Sequence, residues 1–324
     1  MNSTVFDDPE EITYQKLFFP HAISRLSEIT ARSGRFVHYT SSEVAMNIIR
    51  NRNIWMRNAT TMNDFSEIEH GFKCLLHAWS AHAGGQRFKA LLNQVDPTLA
   101  NRVQARFDQG LPDIRTSTFI TCLSEHLDAE DENGRLSMWR AYGGRSGVAM
   151  VLRLEPFLQS TDALNFYSSP VAYMSPDQFS QAFEEMVSGM EREHEYLRHK
   201  GPEFIIEATF NMFRFAVLCT KHPGFAEEKE WRIIYSPAIA MSDVIETEIC
   251  SIRGIPQIIH KIPLIHDPER GLYGATIPRI LDRLIIGPTE DRLAIYQALI
   301  ALLTEAGVDN AFQRVVASGI PLRH

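Results

Sequence analysis

The sequence predicts one α+β domain. Short runs with strand-like alternation occur in both halves of the chain, and apolar residues recur at helical spacing between these runs. No repeat, low-complexity segment or linker interrupts the 324 residues. We therefore assign residues 1–324 to a single domain and interpret the helices at about 175–222 as an insertion into it.

Composition excludes several classes of protein. The net charge of -8 argues against a nonspecific nucleic-acid coat and against a protein that adheres to an anionic membrane. The first eleven residues are polar and acidic, unlike a signal peptide, and no apolar stretch is long enough to span a membrane. The four cysteines are widely separated and lack metal-type spacing, which favours reduced thiols. These features predict a cytoplasmic protein with no membrane partner.

The first third of the chain alternates helices with short strands. Proline breaks the first helix near Pro20, and Ser41 or Ser42 can cap the second. The run TSTFITCLS is rich in β-branched residues and is typical of a central strand. In order, the predicted elements are a leader helix at 12–29, strands at 36–40 and 54–56 with a helix between them, helices at 68–83 and 86–107, and a strand at 116–124.

The remaining elements are predicted from caps and alternation. Ser175-Pro176 has the order of a helix cap followed by the first helical residue, and Gly307 ends the last helix. In order, the predicted elements are a short helix at 136–142, a strand at 147–154, helices from 175 to 201 and from 203 to 220, strands at 231–235, 244–250, 258–264 and 281–286, a helix to 305 and a strand at 312–316.

The segment 227–235 (EEKEWRIIY) is the strongest candidate for a functional site. Its second half alternates like a half-buried strand, and Glu230 stands at the start of that strand. In an extended chain Glu228 projects on the same side as Glu230, so one strand end would carry two carboxylates. The alternative interpretation is a solvated charge run that caps an edge strand.

Other polar residues are ambiguous on their own. His38 lies within a predicted strand, where a lone histidine is more often a core residue than a functional one. Two Glu-x-x-His pairs have the spacing of di-iron sites, but the sequence offers no full set of partner glutamates, so we assign no metal ligands. The glycine-rich segment 143–147 is best explained as a turn into a strand, although its amides and the nearby Arg140 and Arg145 can meet an anion. The two Glu-x-x-His pairs mentioned above are Glu67/His70 and Glu191/His194.

The well-known nucleotide and hydrolase motifs are missing. The sequence has no Gly-x-Gly-x-x-Gly after a strand, no Walker loop, no His-Glu-x-x-His and no Gly-x-Ser-x-Gly.

Short motifs occur in a fixed order along most of the chain. They are His38-Tyr39-Thr40, Asn63-Asp64 with Glu67, Cys122-Leu123-Ser124-Glu125, Met138-Trp139-Arg140-x-Tyr142, Phe225 with Glu228-x-Glu230-Trp231-Arg232, and Ile286-Gly287-Pro288. This ordered series resembles a bacterial family that is named only as domain of unknown function 2971. The resemblance spans residues 36–290, and the family name implies no activity.

The same order of residues more remotely resembles ADP-ribosyltransferases of the His-Tyr-Glu class. Those enzymes carry His-x-Thr/Ser on their first strand, a Tyr after a later strand, and a Glu at the start of a further hydrophobic strand. Here the corresponding residues are His38, Tyr142 and Glu230. The chain departs from the pattern at Tyr39, where glycine is common, and in the longer interval before the glutamate. The resemblance implies a split, mixed or antiparallel sheet, with NAD as a substrate.

The resemblance also implies a role for each residue. Glu230 would stabilise the oxocarbenium-like state, and Glu228 would orient or deprotonate the acceptor nucleophile. Tyr142 would stack on nicotinamide. The remaining implied positions are the nucleotide-binding residues His38, Tyr39, Thr40, Ser124, Arg140 and Arg145, and a cleft loop or simple turn with Asn63, Asp64 and Glu67.

The sequence does not identify the acceptor of ADP-ribose, which can be a protein, a nucleic acid or, in NAD hydrolysis, water. Bacterial relatives of such enzymes often act as toxins or in phage defence, and no residue here bears on that. Two other classes also fit the sequence. One is a catalytically silent nucleotide-binding or regulatory module. The other is a metal-dependent hydrolase or nuclease that uses Asp64, Glu67, Glu228 and Glu230.

Overall fold

The computed structural model describes residues 8–61, 65–155 and 163–321. It shows a mixed, open sheet of ten strands with helices on both faces, and a separate pair of short parallel strands. The strands are β1 (Arg35–Ser41), β2 (Asn53–Asn58), β3 (Phe119–His126), β4 (Gly147–Arg153), β5 (Phe166–Pro170), β6 (Ala172–Tyr173), β7 (Thr220–Lys221), β8 (Glu230–Tyr235), β9 (Glu246–Ile252), β10 (Ile255–Pro263), β11 (Leu281–Ile286) and β12 (Val315–Ala317).

The helices lie between these strands in the chain. Ser41 caps the third helix by accepting from the Val44 amide, and Ser175 caps the eighth by accepting from the Gln178 amide. The helices are α1 (Pro9–Phe18), α2 (Pro20–Ala31), α3 (Ser42–Asn51), α4 (Phe65–Ala81), α5 (Ala83–Val95), α6 (Leu99–Thr116), α7 (Leu136–Met138), α8 (Pro176–Arg192), α9 (His194–Leu218), α10 (Ile277–Ile280) and α11 (Arg292–Glu305).

The sheet branches at β3. The main path runs β12-β11-β4-β1-β3-β2-β10-β9, and only β11 and β12 in it are parallel. One side of β3 pairs with β1 at residues 124–126 and with β2 at residues 119–120, so the stretch between them has neither neighbour. The other side of β3 pairs with β8, which pairs in turn with β5. The class predicted from the sequence, α+β, is confirmed.

Helices cover the two faces of the sheet unequally. On one face, α1, α4, α5, α6, α8 and α9 enclose a large core that includes Ile120 and Ile234 of the sheet. On the other face, α3, α10 and α11 pack against residues such as Phe36 and Trp231. Helices α8 and α9, the predicted insertion, pack against α4, α5 and α6 and complete the larger layer.

The structure of β8 differs from both interpretations of its sequence. The predicted alternation is confirmed, since Trp231, Ile233 and Tyr235 lie in one core and Ile234 in the other. However, every residue of β8 is buried, so the strand is neither half-exposed nor the solvated edge of the alternative interpretation. The physical reason is that β5, which the sequence did not predict, covers its free edge.

The predicted helix at 86–107 is wrong, because a break at 96–98 separates α5 from α6. Asp96 precedes a proline, which favours extended backbone, and its carboxylate accepts from the Thr98 amide at 2.7 Å. The preceding helix also ends earlier than expected, at Ala81, and Gly84 and Gly85 lie in the first turn of α5.

All four cysteines lie in described segments and are free thiols. Among the described residues, none of the helices combines the length and apolar character that a membrane crossing requires.

Candidate functional site

Two carboxylates and a lysine meet where β8 begins. Lys221 ends β7, and a short helical turn, Pro223–Glu228, returns the chain toward it. Lys229 then adopts a left-handed conformation, with φ of 45°, before β8 starts. The Lys221 Nζ lies 2.6 Å from Glu228 Oε2 and 3.2 Å from Glu230 Oε2. Glu228 and Glu230 are therefore neighbours because of this turn, and not because of the extended chain that the sequence suggested.

Glu230 is the buried member of this group and is 6% exposed. Arg232 donates to Glu230 Oε1 at 2.8 Å, and the Glu230 amide donates to the Tyr173 hydroxyl at 2.8 Å. Burial by itself raises the pKa of the Glu230 carboxyl, but Arg232 and Lys221 outweigh it and lower the pKa to about 2. The negative charge of Glu230 is thus already compensated inside the protein.

This pKa predicts a pH dependence of stability. The pKa of Glu230 falls from 4.5 to about 2 on folding, so its contribution is fully present above pH 4.5 and is lost as the pH falls toward 2. The shift corresponds to about 3 kcal/mol. Urea unfolding at pH 7, 4.5 and 3 should show the difference in unfolding free energy between the parent and Glu230→Gln shrinking at the lowest pH. A difference that stays constant across this range would contradict the assigned pKa.

Glu228 is the more accessible carboxylate. Its side chain is 17% exposed, and the Tyr142 hydroxyl donates to Glu228 Oε1 at 3.4 Å. Two aromatic rings lie at this side of the group: Tyr142, which is 38% exposed, and Phe225, which is 45% exposed. The Lys221 ammonium lies 4.8 Å from the centre of the Phe225 ring. We name Tyr142, Lys221, Glu228 and Glu230 the Lys221 cluster.

Tyr142 is held by an anchored helical turn, Trp139–Gly143, that continues α7. Trp139 is fully buried, donates from Nε1 to the Asn133 carbonyl at 2.8 Å and packs edge-on against Tyr39. Gly134, with φ of 66°, lies against this indole, where a Cβ would come within 2.7 Å of the ring. The close packing fixes the turn and therefore the position of Tyr142.

The structure does not bring His38 to the Lys221 cluster. Val37 pairs with Ser124, and Ser124 pairs with Glu230, so these three side chains point to one face of the sheet. His38 follows Val37 in the same strand and points to the opposite face. Its Nδ1 bonds to the Cys122 carbonyl at 3.0 Å, and burial lowers the pKa of the imidazole.

The other predicted nucleotide-binding residues differ in how much of each side chain solvent reaches. Tyr39 and Ser124 are buried, and the Arg135 amide donates to the Tyr39 hydroxyl at 2.8 Å. Burial raises the pKa of Tyr39 to about 12. Thr40 is half-buried on the face of His38, whereas Arg140 and Arg145 are exposed near the glycine-rich turn.

The predicted cleft loop falls on positions that the structure does not describe. Asn63 and Asp64 lie outside the described residues, and Glu67 is described only as part of the backbone of α4. Their role in a cleft stays a prediction.

In the two Glu-x-x-His pairs, the side chains of the three described residues, His70, Glu191 and His194, bond to other partners. His70 Nε2 bonds to the Met174 carbonyl at 2.9 Å. Glu191 pairs with Arg87, and His194 pairs with Glu195.

The sequence analysis missed Lys221 and Tyr173. The signal for Lys221 was a single charge directly after the apolar run that ends α9, because a lysine in such a place needs a carboxylate partner. For Tyr173 there was no local signal, since its contact with Glu230 depends on how β6 and β8 approach each other in space.

A cavity of about 140 Å³ lies on the helical side of the sheet. Its lining is mostly apolar and includes Phe18, Phe179, Met212 and Cys219, but no member of the Lys221 cluster. Cavities of this size hold about one small apolar ring, so it is too small for a dinucleotide.

A family model for a protein of unknown function, DUF2971, matches residues 138–233. This segment of the chain is therefore similar to DUF2971 proteins. The matched residues begin at Met138, in α7 before the turn that carries Tyr142, and end within β8. The matched segment therefore includes all four residues of the Lys221 cluster and the Phe225 ring beside it.

No curated protein and no solved structure gives a significant match to the chain. Because the DUF2971 description carries no activity, a function has to be argued from the geometry of the Lys221 cluster.

Proposed function

We propose that the Lys221 cluster is an active site that binds NAD and breaks its nicotinamide–ribose bond, passing ADP-ribose to an acceptor. One observation carries this proposal. Tyr142 and Glu228, which are 86 residues apart in the chain, are in contact at the accessible side of the cluster. The motif resemblance gives Tyr142 the nicotinamide-stacking role and Glu228 a role at the acceptor, and both roles require the two side chains to meet in one site.

The chemistry needs a carboxylate that faces the developing charge. Cleavage of the nicotinamide–ribose bond leaves positive charge on the ribose, and a fixed carboxylate stabilises it. Glu228 suits this role because solvent reaches its side chain, whereas Glu230 is buried and its charge is compensated by two cations, Arg232 and Lys221. Glu230 then acts on the reaction through Lys221, which it holds against Glu228.

The surroundings offer contacts for the rest of NAD. The exposed rings of Tyr142 and Phe225 can stack on the flat nicotinamide. Arg140 and Arg145 are exposed next to the turn that carries Tyr142 and can pair with the pyrophosphate. His38 has no part in this proposal, since it lies on the other face of the sheet.

The position of Lys221 disfavours the alternative of a metal-dependent hydrolase. A metal site built from Glu228 and Glu230 needs both carboxylates to face one divalent cation. The Lys221 ammonium lies between them, within 3.2 Å of each, and already supplies a positive charge at that point.

We expect Glu228→Gln to lower the rate of nicotinamide release from NAD by at least about a hundredfold, because it removes the charge that stabilises the transition state. Chromatography of released nicotinamide measures the rate, and calorimetry measures NAD binding. The matched control is Glu227→Gln, which removes an exposed carboxylate one residue away and should leave the rate unchanged.

Two results would count against the proposal. A parent protein that neither binds nor cleaves NAD rules it out, and equal rates in Glu228→Gln and Glu227→Gln rule out the role of Glu228. Binding of NAD without any release of nicotinamide would identify the chain as a silent nucleotide-binding module instead.

A further inference from the structure

A second cluster of chemically capable side chains lies away from the Lys221 cluster. It consists of His77 near the end of α4, His82 between α4 and α5, and Asp177 in the first turn of α8. The Nε2 atoms of the two histidines are 3.0 Å apart, and Asp177 Oδ1 is 3.8 Å from His77 Nε2. The three ligand atoms all lie within 4.8 Å of one another.

The contacts of His77 show that its imidazole is oriented through Nε2. Its Nδ1 is buried and has no hydrogen-bond partner among the described residues. The polar contacts of the ring are therefore on the other side, where Nε2 faces His82 Nε2 and the Asp177 carboxylate. Two imidazoles that meet nitrogen to nitrogen need a proton or a metal ion between them, because their lone pairs otherwise repel.

The spacing fits a tetrahedral metal ion. Zinc binds histidine nitrogen and carboxylate oxygen at about 2.0–2.2 Å, which places neighbouring ligand atoms about 3.3–3.5 Å apart. The distances of 3.0 Å and 3.8 Å lie on either side of this value. Three protein ligands leave a fourth position for water, and the Asp177 side chain, 88% exposed, keeps that side open to solvent.

We propose that His77, His82 and Asp177 bind one zinc ion. The ion joins the start of α8 to the junction of α4 and α5, which is a contact between helices that already pack together. The sequence analysis did not consider His77 and His82 as ligands, and it placed the end of the preceding helix at Gly84-Gly85. The real end at Ala81 turns His82 back toward His77. The proposal does not depend on NAD chemistry, since none of the three residues belongs to the Lys221 cluster.

The test is metal binding to the full chain after treatment with a chelator. Calorimetry with zinc chloride should show one site per chain, and zinc should raise the melting temperature of the parent. Cobalt chloride should give the strong visible absorption bands of a tetrahedral site. We expect Asp177→Asn and His82→Ala each to weaken zinc binding by at least about tenfold.

The matched control is His194→Ala, which removes a half-exposed histidine that also lies beside a carboxylate, Glu195, and should leave zinc binding unchanged. Asp177 is a surface residue, so Asp177→Asn keeps the test valid even if a histidine variant fails to fold. The proposal is overturned if the parent binds no zinc, or if Asp177→Asn and His194→Ala bind zinc as tightly as the parent.

Discussion

Glu230→Gln is expected to lower the free energy of unfolding by about 3–5 kcal/mol at pH 7, because it leaves two buried cations without their shared anion. Lys221 is 1% exposed and Arg232 is 3% exposed, so water cannot replace the lost carboxylate. Urea unfolding at pH 7 measures the change. The comparison variant is Glu228→Gln, which should cost about 1 kcal/mol or less because Glu230 still pairs with Lys221.

A double variant separates this explanation from simple loss of packing. If the cost of Glu230→Gln comes from uncompensated positive charge in the core, then adding Lys221→Met should restore part of the lost stability, since it removes one of the two cations that Glu230 neutralised. A double variant that is less stable than Glu230→Gln alone would show that Lys221 contributes chiefly through its other contacts. In either case the double variant reports on stability, whereas nicotinamide release by Glu228→Gln reports on turnover.

Most of the fold was readable from local sequence. Strands β1, β3, β4 and β11 and the caps of α3 and α8 lie close to where alternation and cap residues predicted them. Strand β5 was missed because its sequence, FYSSP, combines two serines with a proline and lacks strand-like alternation. Without β5, nothing in the sequence of β8 could show that its second edge is covered.

The candidate site, like the fold, could be predicted only in part from the sequence. The order of motifs predicts one site for Tyr142, Glu228 and Glu230, and the structure shows the contact of Tyr142 with Glu228. Which face His38 occupies depends on the register of β1, β3 and β8, and a single sequence does not contain that register. The burial of Glu230 is likewise nonlocal, because its partner Lys221 belongs to another strand.

Gly71→Ala is expected to destabilise the protein by about 3 kcal/mol, although alanine is the better helix former. Gly71 lies where α4 crosses α9, and a Cβ there would come within 2.2 Å of the Val217 carbonyl oxygen and 2.9 Å of its carbonyl carbon. These are backbone atoms and cannot rotate away, so the two helices would have to separate. That separation would loosen the core between α4 and α9.

The control for this prediction is Gly189→Ala in α8, where the nearest heavy atom to the new Cβ is Arg192 Nη2, at 3.8 Å. There the change should stabilise the protein by about 0.5–1 kcal/mol, because helix propensity acts without a clash. Thermal and urea unfolding of the two variants should therefore give opposite signs. Stabilisation by both would mean that α4 and α9 lie farther apart than described, and the packing that we assign to the helical layer would have to be revised.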